Sequence, residues 1–398
     1  MSSVALRNIV DAGFRASREY ELILFDRLPS EQQEAFKDLT KDPDFYGVLI
    51  PKEGSTRNTK AVSQDTALLF LTLTDPGPVP AYVRAKLGGA CNQTVAELVL
   101  DGVLEIAREG RFVCGSEAYD LIYEEPPAAE PRGTLARLAQ AALEYAQALD
   151  IGDSARLSAR LYFYNRLPLS PRWKRRFPDQ AAVAAHLGIE SGGANRRLLD
   201  GRWSRMKLPA EFDGWFQWES QAVQPLEKIQ GRGYKLYVSP QPEFVQEAFR
   251  AVLEILTETS AHHFKVGSDV AGLLRPDKIV IYFRDFESLQ QAAKQIATRL
   301  VGCPAHGVPF TAGLGDDALL SWGIDPQPDK GALAWQERES WRLWITNRLA
   351  VALLAAKNAS TNGLEPWRFA LERLRLDNVD TETWAPLASF GRPSEAER

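Results

Sequence analysis

Two lysines on short predicted strands are the residues of this chain whose type and placement could do chemistry. Lys235 lies in the stretch Tyr-Lys-Leu-Tyr-Val, and Lys265 lies in Phe-Lys-Val-Gly. A third predicted strand, residues 278–283, follows the second lysine. Because side chains alternate along a strand, Lys235 and Tyr237 share a face while Leu236 points into the core. Lysines on inner strands are costly to bury, so this placement indicates a site.

The chemistry that two close lysines support is removal of a weakly acidic proton beside a phosphate. A lysine acts as a base only when neutral, and burial or a second cation lowers its pKa. We expect the two lysines on adjacent strands, each disfavouring the charged form of the other. One would take the Cα proton of a phosphorylated Ser or Thr, and the other would stabilise the oxygen that becomes negative.

Three further cations are candidates for holding the phosphate. Arg275 and Lys278 bound the turn before the third predicted strand. Arg342 and Arg348 lie six residues apart on a predicted helix, so they do not share a face and at most one reaches a given site. We take Arg342 as that candidate. A simpler interpretation stays open, because either lysine could end in water with no chemical role. The pair His262-His263 could be the proton donor, but a histidine pair before a strand is more often a loop feature.

Composition limits the class of protein. The chain has 398 residues, 45% hydrophobic and 25% charged, with a net charge of −5, which predicts two or three globular domains and argues against a coat on nucleic acid. The three cysteines lie far apart and the histidines number only four, so we expect no disulfide, no metal site and no cofactor. Neither a signal peptide nor an apolar stretch long enough to span a membrane is evident, which favours the cytoplasm.

The predicted fold class is α+β, in two domains. Residues 1–125 form the first domain, which starts with a helical stretch over 1–30 and continues with three helices and a hairpin over 65–114. That order is typical of a winged helix. The predicted third helix carries no Arg or Lys, which argues against DNA and favours a peptide or partner. A linker covers 126–134, and a second domain, 135–392, holds a small, mostly antiparallel sheet flanked by helices, with the site mainly in 231–326.

A basic run covers residues 151–176. It contains six arginines and Lys174 against the single acid Asp153, with aromatic residues between them. A solvated surface is the commoner explanation of such a run. The alternative is a docking surface for an acidic peptide or for phosphate.

Several short motifs, in this order, resemble the HopA family of bacterial type III effectors. That family is similar to the effector phosphothreonine lyases and to the lyase domains of lanthipeptide synthetases. The resemblance covers roughly residues 162–386, and its order and spacing are more specific than any one motif. The motifs are Gly-Tyr-Lys-Leu-Tyr-Val-Ser (233–239), Phe-Lys-Val (264–266), Asp-Lys-Ile-Val-Ile-Tyr (277–282), Gly-Val-Pro-Phe-Thr (307–311) and Trp-Gly-Ile-Asp-Pro (322–326).

The resemblance implies roles for individual residues. Lys265 would be the general base, Lys235 would stabilise the oxyanion, and Lys278 with Arg275 would contact phosphate. The effector lyases have a histidine acid where this chain has Tyr237. A phenol can donate a proton, so Tyr237 is the candidate at that position. The late phosphate-binding arginines of those lyases have no clear match after Gly315.

The resemblance also implies a setting. HopA-like proteins act in the biosynthesis of ribosomal peptides, including class V lanthipeptides and thioamitides. We therefore expect a cofactor-independent phosphoserine/phosphothreonine lyase that makes dehydroamino acids in a phosphorylated precursor peptide. Its partners would be a separate kinase and a cyclase, and the first domain would bind the leader peptide. The alternatives are a non-catalytic phosphopeptide-binding scaffold and a winged-helix regulator with an accessory domain.

Overall fold

The computed structural model describes residues 5–55, 57–124, 131–206, 214–222, 233–326, 339–357 and 364–387. Most of the predicted linker at 126–134 lies outside the described residues, as does the end of the predicted second domain. Within the described ranges the chain is a mixture of α and β structure with several separate sheets.

The first part of the chain combines two three-stranded sheets with five helices among the described residues. One sheet has the order β1-β5-β6 and the other β2-β3-β4. The elements are β1 (Phe14–Ala16), β2 (Tyr20–Leu24), α1 (Ser30–Phe36), β3 (Phe45–Pro51), β4 (Lys60–Ser63), α2 (Gln64–Thr72), α3 (Ala81–Leu87), α4 (Cys91–Leu100), β5 (Leu104–Arg108), β6 (Arg111–Val113) and α5 (Tyr119–Ile122).

The helical stretch predicted for residues 1–30 is wrong for the residues described. The regular structure within it is two strands, β1 and β2, and a single 3-10 turn at Phe25–Arg27, and α1 begins only at Ser30. The reason is distant pairing: Phe14 is opposite Ile106 of β5, and Leu22 is opposite Leu49 of β3. Such long-range pairing outweighs local helix propensity.

Three helices and a hairpin follow in the predicted order. These are α2, α3, α4 and the antiparallel pair β5–β6. Glu109 and Gly110 connect the two strands with φ of 49° and 81°, a left-handed pair that suits a tight hairpin turn. The winged-helix class is not established by this order and stays a prediction.

Helices dominate the middle and the end of the chain, on either side of one large sheet. The remaining elements are α6 (Thr134–Ala148), α7 (Ser154–Tyr162), α8 (Pro171–Arg176), α9 (Gln180–Leu187), α10 (Arg196–Asp200), β7 (Trp203–Arg205), β8 (Trp215–Ser220), β9 (Tyr234–Val238), α11 (Val245–Leu256), β10 (His263–Gly267), α12 (Val270–Leu273), β11 (Ile279–Phe283), α13 (Phe286–Arg299), β12 (Ala312–Gly313), β13 (Leu320–Ile324), α14 (Trp341–Lys357), α15 (Pro366–Leu376), β14 (Val379–Asp380) and β15 (Ala385–Pro386).

The large sheet, here called the main sheet, has the strand order β12-β13-β9-β11-β10-β8-β7 in the described part of the chain. Every neighbouring pair is antiparallel. The sequence predicted a small, mostly antiparallel sheet. The observed sheet is larger because β7, β8, β12 and β13 extend both sides of the three predicted strands.

The two faces of the main sheet differ in chemistry. One face, here called the apolar face, carries buried residues such as Leu236, Phe264 and Ile281, which pack with α11 and α13 in one hydrophobic cluster. The other, here called the polar face, carries the alternate residues of the same strands, including Lys235 and Lys265. The period of two thus separates a core from a candidate site.

A second hydrophobic cluster joins distant parts of the chain. It runs from α2 and α4 of the first part, through α6 and α7, to α14 and α15. The predicted boundary near residue 125 therefore crosses a continuous core, and the division into two domains stays a prediction. Across the described helices, none has both the length and the hydropathy needed to cross a bilayer.

Candidate active site on the polar face of the main sheet

The two lysines share one face of the main sheet, but the prediction that they lie on adjacent strands is wrong. The central strand β11 separates them: Lys235 on β9 is opposite Tyr282, and Lys265 on β10 is opposite Val280. Both ammonium groups nevertheless approach one ring. The Nζ atoms of Lys235 and Lys265 lie 5.2 and 5.9 Å from the ring centroid of Tyr282. The structure therefore brings the two amines together above β11.

The lysines differ in their partners. Lys235 forms an ion pair with Asp325, with 2.6 Å between Nζ and Oδ1, and its side chain is only 7% exposed. Lys265 has no ion pair or hydrogen bond at Nζ among the described residues, and its ammonium lies 4.4 Å from the ring centroid of Trp215. One amine is paired with a carboxylate, whereas the other contacts only aromatic rings among the described residues.

This difference agrees with the protonation of Lys265. Burial, and next the positive charge of Lys235, lower the pKa of Lys265 from 10.5 to about 7. About half of the molecules would then carry a neutral amine at Lys265 near pH 7. A neutral, unpaired amine at a half-buried position is what a general base requires.

A buried carboxylate organises the arginines beside the lysines. Asp277 accepts from Arg275 Nε at 2.8 Å and Nη2 at 2.9 Å, and Arg342 Nη1 lies 2.9 Å from its second oxygen. Burial would raise the pKa of Asp277, but the guanidinium groups of Arg342 and Arg275 outweigh it and hold that pKa well below its usual range. Tyr162 supports both arginines: its hydroxyl accepts from Arg275 and its carbonyl accepts from Arg342.

Arg275 is the arginine placed to meet a ligand. Its side chain is 18% exposed, against 2% for Arg342. Its Nη1 group makes no hydrogen bond within the described ranges, so two N–H donors remain for a phosphate oxygen. Arg342 instead donates to the carbonyl groups of Pro309 and Tyr162 and pairs with Asp277. Its geometry is that of a residue that orients Asp277, and it gives no support to direct phosphate binding.

The local fold explains the position of Arg275. The short helix α12 connects β10 to the turn that carries Arg275, and Asp269 caps it by accepting from Gly272 N at 2.6 Å. The chain closes tightly here, since a Cβ on Gly267 would meet the backbone of Gly272 at 2.5 Å. Arg275 is therefore held by a compact turn directly beside the end of β10.

Lys278 does not join the lysine pair. It is fully buried, and its Nζ donates to the carbonyl of Pro240 at 2.8 Å and to Nδ1 of His306 at 2.9 Å. The other ring nitrogen of His306 lies 2.6 Å from the carbonyl of Asn165, so that nitrogen carries the proton. Lys278 thus ties two loops together, and its contacts do not favour the predicted role in phosphate binding.

Tyr237 and His263 lie on the polar face near the lysines. Tyr237 is 3% exposed and its hydroxyl has no hydrogen bond among the residues described. Burial, and next the charge of Asp325, raise the pKa of Tyr237 well above 10, so the phenol keeps its proton. Burial, and next Lys265, lower the pKa of His263 to about 3, and its ring stacks on Tyr282 at 4.5 Å. A neutral His263 is a poor proton donor at neutral pH.

Asp325 is anchored by the start of α14. Its Oδ1 also accepts from the backbone N–H of Trp341 at 3.0 Å, and the indole Nε1 of Trp341 donates to the carbonyl of Phe310. The indole lies over Gly323, where a Cβ would meet the ring at 2.5 Å. Gly323 is opposite Lys235 in the register of β13 and β9. The absence of a side chain at 323 thus lets Trp341 hold Asp325 against Lys235.

Sequence reasoning missed the acids and several aromatic residues of the site. Asp277, Asp325, Tyr162 and Trp215 come from four different segments, and none stands at a motif spacing that marks it. One signal was available: Asp277 and Asp325 fall within the quoted motifs 277–282 and 322–326. In the described part of the chain, no group of three or more His, Cys, Asp or Glu side chains is placed to hold a metal ion.

No protein-family model matches the chain, and no curated protein matches it in sequence. Solved structures with some similarity include two effector proteins of Pseudomonas syringae. The one from pathovar tomato strain DC3000 has 13% identity and a TM-score of 0.42, covering 63% of this chain and 99% of that chain. The one from pathovar syringae strain 61 has 13% identity and a TM-score of 0.40, covering 65% and 100%.

A third similar structure is the VirA (SpvC) phosphothreonine lyase effector of Chromobacterium violaceum. It has 14% identity and a TM-score of 0.28, covering 52% of this chain and 99% of that chain. At these TM-scores and identities, the similarities carry no argument about the activity of this chain.

Proposed function

We propose that this protein is a lyase that eliminates phosphate from phosphorylated Ser or Thr residues of a peptide. The observation that carries the proposal is the asymmetry of the lysine pair. Lys265 is unpaired among the described residues with a pKa lowered to about 7, whereas Lys235 is held by Asp325. Nη1 of Arg275, which makes no hydrogen bond within the described ranges, offers two N–H donors beside the same face of the main sheet.

The proposed step is a β-elimination. The neutral amine of Lys265 takes the Cα proton, and the electrons of that C–H bond form the Cα=Cβ double bond. The bond from Cβ to the ester oxygen breaks, and phosphate leaves with that electron pair. The Lys235 ammonium stabilises the negative charge that develops on the carbonyl oxygen, and Arg275 binds the departing phosphate.

Tyr237 is the candidate hydrogen-bond donor to the leaving group. A phenol at Tyr237 keeps its proton and can donate a hydrogen bond to the leaving group. Phosphate is a good leaving group, so the step depends less on an acid than on the base. We assign Tyr237 to hydrogen bonding at the leaving oxygen.

We further propose that the substrate is a ribosomal precursor peptide phosphorylated by a separate kinase. The products would be dehydroamino acids, and a cyclase would use them in lanthipeptide or thioamitide biosynthesis in the cytoplasm. The first part of the chain would bind the leader peptide. The support is the resemblance of motifs 233–239 and 264–266 to HopA-like proteins, together with the edge position of strand β6 in the hairpin, since an extended peptide can add to an edge strand.

Mass spectrometry of a phosphorylated peptide tests the proposal. The wild-type protein should remove phosphoric acid, and the residue formed should add a thiol reagent at the new double bond. Lys265→Ala should abolish elimination while peptide binding is retained. Lys235→Ala should slow elimination more than it weakens binding, because the oxyanion forms only in the transition state.

Two outcomes would overturn the proposal. Tight binding of phosphopeptide without loss of phosphoric acid would identify a phosphopeptide-binding scaffold. Specific DNA binding by the full chain, abolished by substitutions on β5–β6 and unaffected by Lys265→Ala, would identify a regulator.

A further inference from the structure

The basic run of residues 151–176 is divided by the fold into two surfaces. Its first half lies on α7, whose residues Leu157 and Leu161 are buried in the cluster that contains α14. Its second half lies on α8, where Trp173 and Phe177 pack into the cluster behind the apolar face of the main sheet. Charges that are neighbours in sequence therefore lie on helices that pack against different hydrophobic clusters.

The α7 half forms a stripe that leads to the candidate site. Arg156, Arg160 and Phe163 follow the spacing i, i+4, i+7, so they share the exposed face of the helix. Phe163 is 43% exposed and its ring centroid lies 5.9 Å from Arg275 Cζ. The same ring lies 5.5 Å from Arg166 Cζ, so the stripe ends between two guanidinium groups. We call Arg156, Arg160, Phe163 and Arg166 the basic stripe.

The cations of the basic stripe have no acidic partners among the described residues. Some exposed arginines elsewhere are paired within their own helices, as Arg196 is with Asp200 and Arg250 with Glu254. Arg172 and Arg175 of α8 have no acidic partner among the described residues either, so the feature particular to the stripe is its contact with Arg275. Among the described residues, the guanidinium of Arg166 donates one hydrogen bond, to the carbonyl of Ala271 at 3.3 Å, which places it beside the turn of Arg275 without neutralising its charge. An uncompensated row of cations next to a site attracts anionic ligands and raises their local concentration.

We propose that the basic stripe binds acidic or phosphorylated side chains of the peptide substrate that flank the reacting residue. This inference rests on the proposed function and extends it to substrate selection. The ring of Phe163 lies 5.9 Å from Arg275 Cζ, and the helical rise of about 1.5 Å per residue adds the distance from Phe163 to Arg160 and Arg156. The stripe therefore spans at most roughly 10 Å from Arg275 to Arg160 and roughly 16 Å to Arg156. An extended peptide covers those distances in about three and five residues. The preferred substrate carries negative charges about three and five residues from the reacting residue. Phe163 supports the peptide backbone between the reacting residue and the nearer charge.

A matched pair of double variants tests the stripe. Arg156→Gln with Arg160→Gln removes two exposed charges from α7, and Arg172→Gln with Arg175→Gln removes two exposed charges from α8. The full-length proteins are titrated with two fluorescent peptides that contain Ala in place of the phosphorylated residue. One carries Glu residues three and five positions away, and the other carries Gln at those positions.

The α7 variant should bind the Glu peptide about tenfold more weakly than the wild type, and the α8 variant should bind it within about twofold of the wild type. Binding to the Gln peptide should be equally weak for all three proteins. The affinity for the Glu peptide should fall as salt is raised. Equal losses for the two double variants, or no loss for either, would overturn the docking role. Tighter binding of a single-stranded RNA than of the Glu peptide would overturn it too.

These peptides carry no phosphate, so their binding does not depend on elimination. If the stripe result holds while no phosphopeptide is ever processed, the proposed activity fails and the docking surface stands. If phosphopeptides with Glu and Gln flanks are processed with the same KM by the wild type and the α7 variant, the activity stands and the docking surface fails.

Discussion

The apolar and polar faces of the main sheet are made of alternate residues of the same strands and meet opposite requirements. On β10, Phe264 and Val266 are fully buried and pack under α11 and α13. Their neighbour Lys265 faces the other way, half-buried and without a polar partner among the described residues. The apolar face is filled by hydrophobic packing, whereas on the polar face the amine of Lys265 contacts only aromatic rings among the described residues.

The contrast shows how a lysine with a lowered pKa is kept in place. Burying an amine disfavours its charged form, and this lowers the stability of the native state. Other native contacts must offset that cost. The packing of Phe264 with Trp218 and Trp203 behind the strand, at ring-centroid distances of 5.0 and 4.7 Å, is one such source. The rigid face therefore holds the position of the reactive one.

Replacing Lys265 should separate activity from stability most sharply. Lys265→Met should reduce elimination about 10²–10⁴-fold, since the base is lost. It should also raise the free energy of unfolding at pH 7, on the order of 1 kcal/mol, since the native state no longer holds an amine whose charge is disfavoured. Phosphopeptide turnover and urea unfolding measure the two effects. A destabilised Lys265→Met would contradict this assignment, and Lys294→Met on the exposed side of α13 is the control.

The neighbouring residue should behave in the opposite way. Phe264→Ala should lower the free energy of unfolding by about 3–5 kcal/mol because it leaves a cavity among buried aromatic rings. Activity per folded molecule should fall far less than in Lys265→Met, as judged at low temperature by active-site titration. A full loss of activity in folded Phe264→Ala would show that the two faces are not separable.

The pH dependence of elimination reports the polar face alone. Lys265 is protonated below its pKa of about 7, so the rate should fall about tenfold per pH unit below that value and reach a plateau above it. The sign is that of a base, with activity gained as pH rises. A phosphate ester has its own pKa near 6, so its titration should be followed by phosphorus NMR on the same peptide. A rate that falls as pH rises through 7 would exclude Lys265 as the base.

Asp325→Asn should move the acidic limb of that profile. The carboxylate of Asp325 favours the charged form of Lys265, so its removal should shift the limb to lower pH. The rate on the plateau should fall about two- to tenfold, because Lys235 loses the partner that orients it. The pH profile of kcat measures both effects. An unchanged limb would mean that Asp325 does not act on the lysine pair.

Tyr237→Phe should reduce the rate as modestly as Asp325→Asn does, and should leave the acidic limb of the pH profile in place. Loss of one hydrogen bond to the leaving oxygen should reduce the rate about two- to tenfold. Single-turnover elimination separates this change from any change in product release. A loss as large as that of Lys265→Met would instead identify Tyr237 as the general acid.

The sequence allowed the polar face to be anticipated in part, because alternation on β9 and β10 is a local property. It placed Lys235, Tyr237 and Lys265 on predicted strands, and it gave the hairpin at Glu109-Gly110. It could not give the strand order, which is why β11 was not expected between the lysines. Strand order depends on pairings between segments far apart in the chain.

The counter-ions could not be predicted for the same reason. Asp277 and Asp325 acquire their roles only when Arg342 of α14 and Lys235 of β9 are brought to them. Lys278 looked as suitable for phosphate as Arg275 at the sequence level, since both lie in one turn. The two side chains point in different directions. Lys278 is fully buried and contacts His306 and Pro240, whereas Arg275 is partly exposed beside the lysine pair.

Gly323 sets a limit on how this site can change. The indole of Trp341 occupies the volume that any larger residue at 323 would need, so an added methyl group would displace the ring. Trp341 is also the first residue of α14, and its backbone N–H donates to Asp325. Laboratory evolution towards new substrates is therefore expected to accept substitutions in the basic stripe on α7. Position 323 should accept few substitutions, although it carries no reactive group.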